Sequence, residues 1–94
     1  QSHSQAEQWV SATLGDLAAP TQDAERLRET LYAYWRCDKN VAKTAERLFL
    51  HRNTVNYRIA QARKIMPERS WSNSLNVILA LTYMHYIPFD TTEH

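Results

Sequence analysis

The stretch Asn40 to Pro67, NVAKTAERLFLHRNTVNYRIAQARKIMP, leaves the chain little freedom. Val41, Ala45 and Leu48 recur at i, i+4 and i+7, the spacing of one face of a short helix. Asn40 precedes them, and its side-chain oxygen can accept an early backbone N–H as an N-cap. Val55, Ile59, Ala62 and Met66 repeat the same periodicity over three turns. Pro67 ends that second helix, because proline disfavours helical geometry in the residue before it and donates no backbone bond. Only Phe49, Leu50 and His51 lie between the two, the size of turn found in a helix-turn-helix. Small Ala45 lets the helices cross closely, and Val55 and Ile59 fill the wedge between them. Such a turn usually opens on glycine, which tolerates positive φ. Here Phe49 stands in that place.

The rest of the chain agrees with an all-α reading. One glycine and three prolines in 94 residues leave little room for a sheet with tight hairpins. The length suggests one domain, and a domain of this size buries only about 60–68% of its unfolded surface. The core is therefore modest, and contacts with a partner can add to it. Cys37 is the only cysteine, so no internal disulfide forms, which suits a reducing cytoplasm. Neither a signal pattern nor an apolar run long enough to cross a bilayer is present.

Net charge is only +1, but it is unevenly spread. Residues 1–35 carry two arginines against five acids, a net of −3. Residues 36–69 carry nine Lys/Arg against three acids, a net of +6. Basic charge is thus gathered on the two central helices, as the footprint of a nucleic-acid binder would be. A merely solvated helical face reads the same from charge alone.

In chain order, residues 1–5 read as irregular, and Ser4 and Glu7 have capping-box spacing. A helix over about 5–18 would turn Trp9, Val10, Thr13, Leu14 and Leu17 to one side. Ala19-Pro20-Thr21 breaks it. A second helix over about 23–37 carries Leu27, Leu31, Tyr34 and Trp35 inward, with Asp23 and Glu25 near its positive end and Arg36 near its negative end. After Pro67, Ser70 or Ser72 can cap a last helix reaching about Ile87. Its Leu75, Ile78, Leu79, Thr82 and Tyr86 form one apolar stripe, and Val77, Leu81 and Met84 a second. A helix apolar nearly all round is usually buried. The stripe Val77, Leu81 and Met84 is expected to meet a second copy of the chain. In the alternative, the first helix folds back over it with Trp9, Leu14 and Leu17.

The string LFLHRNTVNYRI, with NVAKTAERL before it, closely resembles the C-terminal DNA-binding domain of PucR/CdaR-like bacterial transcriptional regulators. The matching residues are Asn40, Thr44, Ala45, Leu48, Phe49, His51, Arg52, Asn53, Thr54, Tyr57 and Arg58. Looser matches extend upstream to LGDL and RETLYAYW and downstream to NVILAL, about three quarters of the chain in all. In that family a bulky residue at the place of Phe49 is ordinary. The chain departs from it at Cys37-Asp38-Lys39, where a glycine turn is common, and over Ala62 to Trp71, where an acidic, glycine-containing stretch is usual.

Candidate contacts follow from helical geometry. Asn53, Asn56, Tyr57, Ala60 and Lys64 lie opposite Val55 and Ile59, and His51 and Arg52 stand at the N-terminal end, the part that enters a major groove. Arginine can bond a guanine edge bidentately and asparagine an adenine edge. The expected base contacts are therefore His51, Arg52, Asn53, Asn56 and Tyr57. Thr54, with the free N–H groups of the first turn, suits a phosphate. Lys43 and Arg47 sit four apart on the outward face of the preceding helix, a mild repulsion that a polyanion relieves. They join Thr54, Arg58 and Lys64 as expected phosphate contacts. Plainer roles compete: Asn53 or His51 as a cap, Tyr57 packed on a neighbour, Arg58 paired with Glu46.

Catalysis finds no support. His3, His51, His85 and His94 share no metal-ligand spacing, and Cys37 has no partner cysteine. There is no glycine-rich phosphate loop and no nucleophile elbow. Trp9, Trp35 and Trp71 read as core anchors, and Cys37 as a small, partly buried side chain.

The sequence thus predicts an all-α bundle of about five helices containing a helix-turn-helix of the Fis-like, PucR type. Residues 1–20 form an N-terminal linker helix, 21–88 the DNA-binding domain with its motif at about 40–66, and 89–94 a tail. The expected function is sequence-specific binding of double-stranded DNA, without cofactor, metal or enzymatic activity. The expected setting is a cytoplasmic homodimer whose upstream effector-sensing domains belong to the same polypeptide and are missing from this chain. The rival is a helical interaction or dimerisation module without DNA affinity.

Overall fold

In the computed structural model, which describes residues 2–87, six helices and one 3-10 turn follow in order. They are α1 (Ser2–Leu14), the turn Gly15–Ala18, α2 (Gln22–Arg36), α3 (Val41–Leu48), α4 (Arg52–Ile65), α5 (Glu68–Trp71) and α6 (Ser74–Tyr86). No strand occurs among the described residues. Gln1, Pro88 and the expected tail 89–94 lie outside them.

The first helix differs from expectation at both ends. It begins at Ser2, so residues 2–5 are helical and Ser4 lies inside the helix rather than capping it. It stops at Leu14 because Gly15 adopts φ +60°, a conformation that suits glycine. A Cβ at Gly15 would stand 2.8 Å from Pro67 Cδ and 3.2 Å from its Cγ. The glycine therefore serves a close approach between the end of α1 and the end of α4.

Helix α2 starts where the Thr21 side chain accepts the Ala24 N–H at 3.1 Å, so the break Ala19-Pro20-Thr21 also supplies the cap of the next helix. Beyond its end, Lys39 N–H bonds Tyr34 O at 2.8 Å and Asp38 N–H bonds Trp35 O at 3.2 Å, the paired bonds of a Schellman motif. Asp38 and Lys39 both take positive φ, 56° and 60°. Two residues other than glycine thus hold this left-handed turn. Cys37, the C-cap, is free and partly buried.

Val10, Leu14, Leu17, Leu31, Ala62, Met66, Val77, Ala80, Leu81 and Met84 form one core joining α1, α2, α4 and α6. Leu27, Tyr34, Trp35 and Trp71 pack against it, with the Trp35 and Trp71 rings 5.6 Å apart. Trp9 is not an anchor: it stays 39% exposed at the edge of the cluster. The region after Pro67 forms two helices, not one. Short α5 intervenes, and α6 is capped by Asn73, whose Oδ1 accepts the Asn76 N–H at 3.3 Å, rather than by Ser70 or Ser72.

The stripes of α6 also exchange roles. Val77, Leu81 and Met84, expected as the dimer surface, are buried inside the chain, because α1 and α2 both pack on that side of α6. Leu75, Leu79 and Tyr86 remain outside, 66%, 50% and 70% exposed.

Candidate nucleic-acid interface

Helices α3 and α4 and the turn between them form the motif as the periodicity predicts. Asn40 Oδ1 accepts the Lys43 N–H at 2.8 Å, which satisfies one of the orphan donors of the helix start. Buried Thr44 returns its hydroxyl to Asn40 O at 2.8 Å, fixing the first turn of α3 from its inner side. Ala45 and Val55 are both buried where α3 meets α4.

The turn closes through Phe49, whose φ of +58° and ψ of 44° lie in the left-handed region. That geometry brings the Leu50 N–H back to Ala45 O at 2.9 Å. His51 then caps α4, its Nδ1 accepting the Asn53 N–H at 3.0 Å. With Nδ1 engaged as the acceptor, Nε2 on the far side of the ring stays open to another group. The cap thus falls to His51 rather than to Asn53. Met66 is extended (ψ 148°), as the residue before proline prefers, and α4 ends there.

His51, Arg52, Asn53, Asn56, Tyr57 and Lys64 are exposed along α4, and Lys43 and Arg47 along α3. Thr54 is half-buried. Asn53, Asn56, Tyr57, Ala60 and Lys64 share the outward face opposite buried Val55 and Ala62. No acidic residue occurs between Arg47 and Pro67, so nothing on α4 offsets its cations. Tyr57 stays outside and is not packed in the core.

Arg58 stands apart from this group. Half-buried, it directs Nη1 to Thr30 Oγ1 of α2 at 3.4 Å, and Thr30, fully buried, in turn donates to Arg26 O at 3.0 Å. Its partner is therefore neither Glu46 nor open solvent, because its position on α4 lies at the seam with α2. The Thr30 contact, 28 residues away in sequence, left no mark in the local pattern. Arg63 is likewise engaged, its guanidinium 4.9 Å from the centre of the Trp71 ring.

A third basic side chain, on α2, also serves the scaffold. Arg28 donates to Leu17 O at 2.9 Å and Ala19 O at 2.8 Å, closing the end of the 3-10 turn. Burial lowers its pKa from the ordinary arginine value, and Glu25 and Glu29 oppose that shift. Among the described residues no group of three His, Cys, Asp or Glu side chains is arranged to hold a metal, and no helix is long and apolar enough to cross a membrane.

One short helix, a three-residue turn entered through a left-handed residue, and a second helix with an exposed polar outer face free of acids define a helix-turn-helix domain. Residues 27–81 match the model of the PucR C-terminal helix-turn-helix domain, and the chain belongs to that family. It is 34% identical over 58 residues to the purine catabolism regulatory protein of Bacillus subtilis (strain 168). That match covers 62% of this chain and 11% of the relative's length. No solved structure matches it significantly.

Proposed function

We propose that the chain binds double-stranded DNA sequence-specifically, as the output domain of a bacterial transcriptional regulator acting in the cytoplasm. The observation that carries this reading is the exposed, polar outward face of α4, with Arg52 and Lys64 as its open cations and no acid between Arg47 and Pro67. His51, Arg52, Asn53, Asn56 and Tyr57 read base edges in the major groove, Arg52 toward guanine and the asparagines toward adenine. Lys43, Arg47, Thr54 and Lys64 hold phosphates on either side. Arg58 positions α4 against α2 and leaves the contact set. The regulator named among the relatives is far longer than this chain, which supports effector-sensing domains elsewhere in the same polypeptide.

Titration of the chain with duplex DNA at several salt concentrations tests the reading. Affinity should fall steeply with salt, and Lys43→Ala and Arg47→Ala should each lower the slope by roughly one unit or less. Binding that ignores salt, or no binding at all, would leave the helical interaction module as the better account.

Pairing is proposed on a different surface from Val77, Leu81 and Met84. Leu75, Leu79 and Tyr86, with Thr82 between them, recur at spacings of four, three and four on the open side of α6, a seam of the kind two helices share. Two copies closed by a two-fold axis would present two α4 helices to half-sites about 34–36 Å apart.

A further inference from the structure

Phe49 is the least economical residue in the fold. It is 94% exposed, so its ring contributes almost nothing to the core. Its backbone lies at φ +58°, where a bulky side chain is an outlier and glycine would be free of strain. Exposure and strain both work against the folded state, and no ring contact to Phe49 compensates for them among the described residues. A strained residue that the scaffold does not need is a pointer to function.

Its surroundings narrow the partner. Arg47 precedes it by two residues, His51 and Arg52 follow it by two and three, and all three are exposed. The surface that meets this ring must therefore be anionic and yet offer an apolar face beside its charges. Duplex DNA has both, in the deoxyribose faces and thymine methyls that stand next to phosphates. A protein surface would need acids around an apolar pocket, and its apolar pocket alone would do nothing for the two cations Arg47 and Arg52.

We propose that Phe49 is a DNA-contacting residue that lays its ring against the duplex beside the groove entered by α4, on a deoxyribose or a thymine methyl. The inference rests on the DNA-binding reading above. It separates two properties that usually move together, since removing the ring should improve the fold and weaken the complex.

The test uses a duplex recovered from random-sequence DNA with the wild-type chain. Phe49→Gly relieves the strained φ, Phe49→Asn tolerates it while removing the ring, and Phe49→Tyr keeps the ring. The glycine variant should melt above wild type and bind the selected duplex about tenfold more weakly, the scale for one aromatic side chain partly withdrawn from water. Phe49→Asn should weaken binding equally, and Phe49→Tyr should retain it. Replacing thymines of the duplex by uracil assigns the contact. A loss seen with wild type but not with Phe49→Gly marks a methyl, and no such difference marks the sugar. Glycine and asparagine variants that bind within twofold of wild type overturn the inference while leaving DNA binding intact. So does a glycine variant of normal affinity that sediments as a smaller species, which would give the ring to a protein contact. A wild-type chain that binds no duplex overturns both readings together.

Discussion

Gly15→Ala tests the joint that fixes where α4 ends. Two penalties apply at this position. The backbone sits at φ +60°, where an L side chain costs about 1–2 kcal/mol. The new methyl would also stand 2.8 Å from Pro67 Cδ and 3.2 Å from its Cγ. The proline ring is rigid, so it does not yield as a flexible side chain would. Forcing an extra carbon into such a place costs about 1–3 kcal/mol. The stiffer unfolded chain of an alanine variant returns no more than about 0.4–1 kcal/mol. The net loss should be about 1–4.5 kcal/mol, a large part of the roughly 5–15 kcal/mol typical of a domain. Thermal unfolding followed by circular dichroism should then show a midpoint lowered by roughly 4–36 °C, at about 4–8 °C per kcal/mol for a chain of this size. Pro67→Ala in the same background should restore the steric share but not the backbone share, giving a coupling of about 1 kcal/mol or more. A midpoint within about 3 °C of wild type, or strict additivity of the two substitutions, would refute the close approach as the reason for this glycine.

Three further outcomes bear on the interface. Arg52→Ala should cost about 1–3 kcal/mol on the selected duplex and relax preference at one base pair; equal losses on selected and random DNA would make it a phosphate contact. Arg58→Met, which keeps the stem but not the guanidinium, should lower stability by about 0.5–1.5 kcal/mol and leave the salt slope of binding unchanged. A slope reduced by about one unit would return Arg58 to the DNA. Leu79→Glu should change stability by no more than about 0.5 kcal/mol, being half-exposed, while converting a sedimenting dimer to monomer; a wild-type chain that stays monomeric to high micromolar concentration would end the pairing proposal.

The motif was legible because everything that defines it is local. Asn40 caps, Ala45 and Val55 sit ten residues apart at the crossing, and Pro67 stops the second helix, all within 28 consecutive residues. The register placed Phe49 where glycine usually stands, but that it takes the left-handed conformation itself is shown only by the fold. What escaped were choices between equals. SWSNS offers several residues able to cap a helix, and only the packing of α5 decides that Asn73 does so. The two stripes of α6 are similarly apolar, and period alone cannot rank them. The fold of α1 over one of them does, and that contact joins residues more than sixty positions apart.

Arg58 shows how those distant contacts reach the interface. Read locally, it is one more cation on a basic helix, with Glu46 or a phosphate as its natural partner. In the fold it meets Thr30 on α2, so one face of α4 serves orientation and the other stays open. Pro67 against Gly15 sets the end of the same helix, and Ala45 against Val55 sets its start. With Val55 and Arg58 on α4 and Pro67 just beyond its end held by three different elements, its outward residues are presented in a fixed register. The affinity of such a face depends on side chains the sequence displays openly, whereas its aim depends on partners that only the fold brings together.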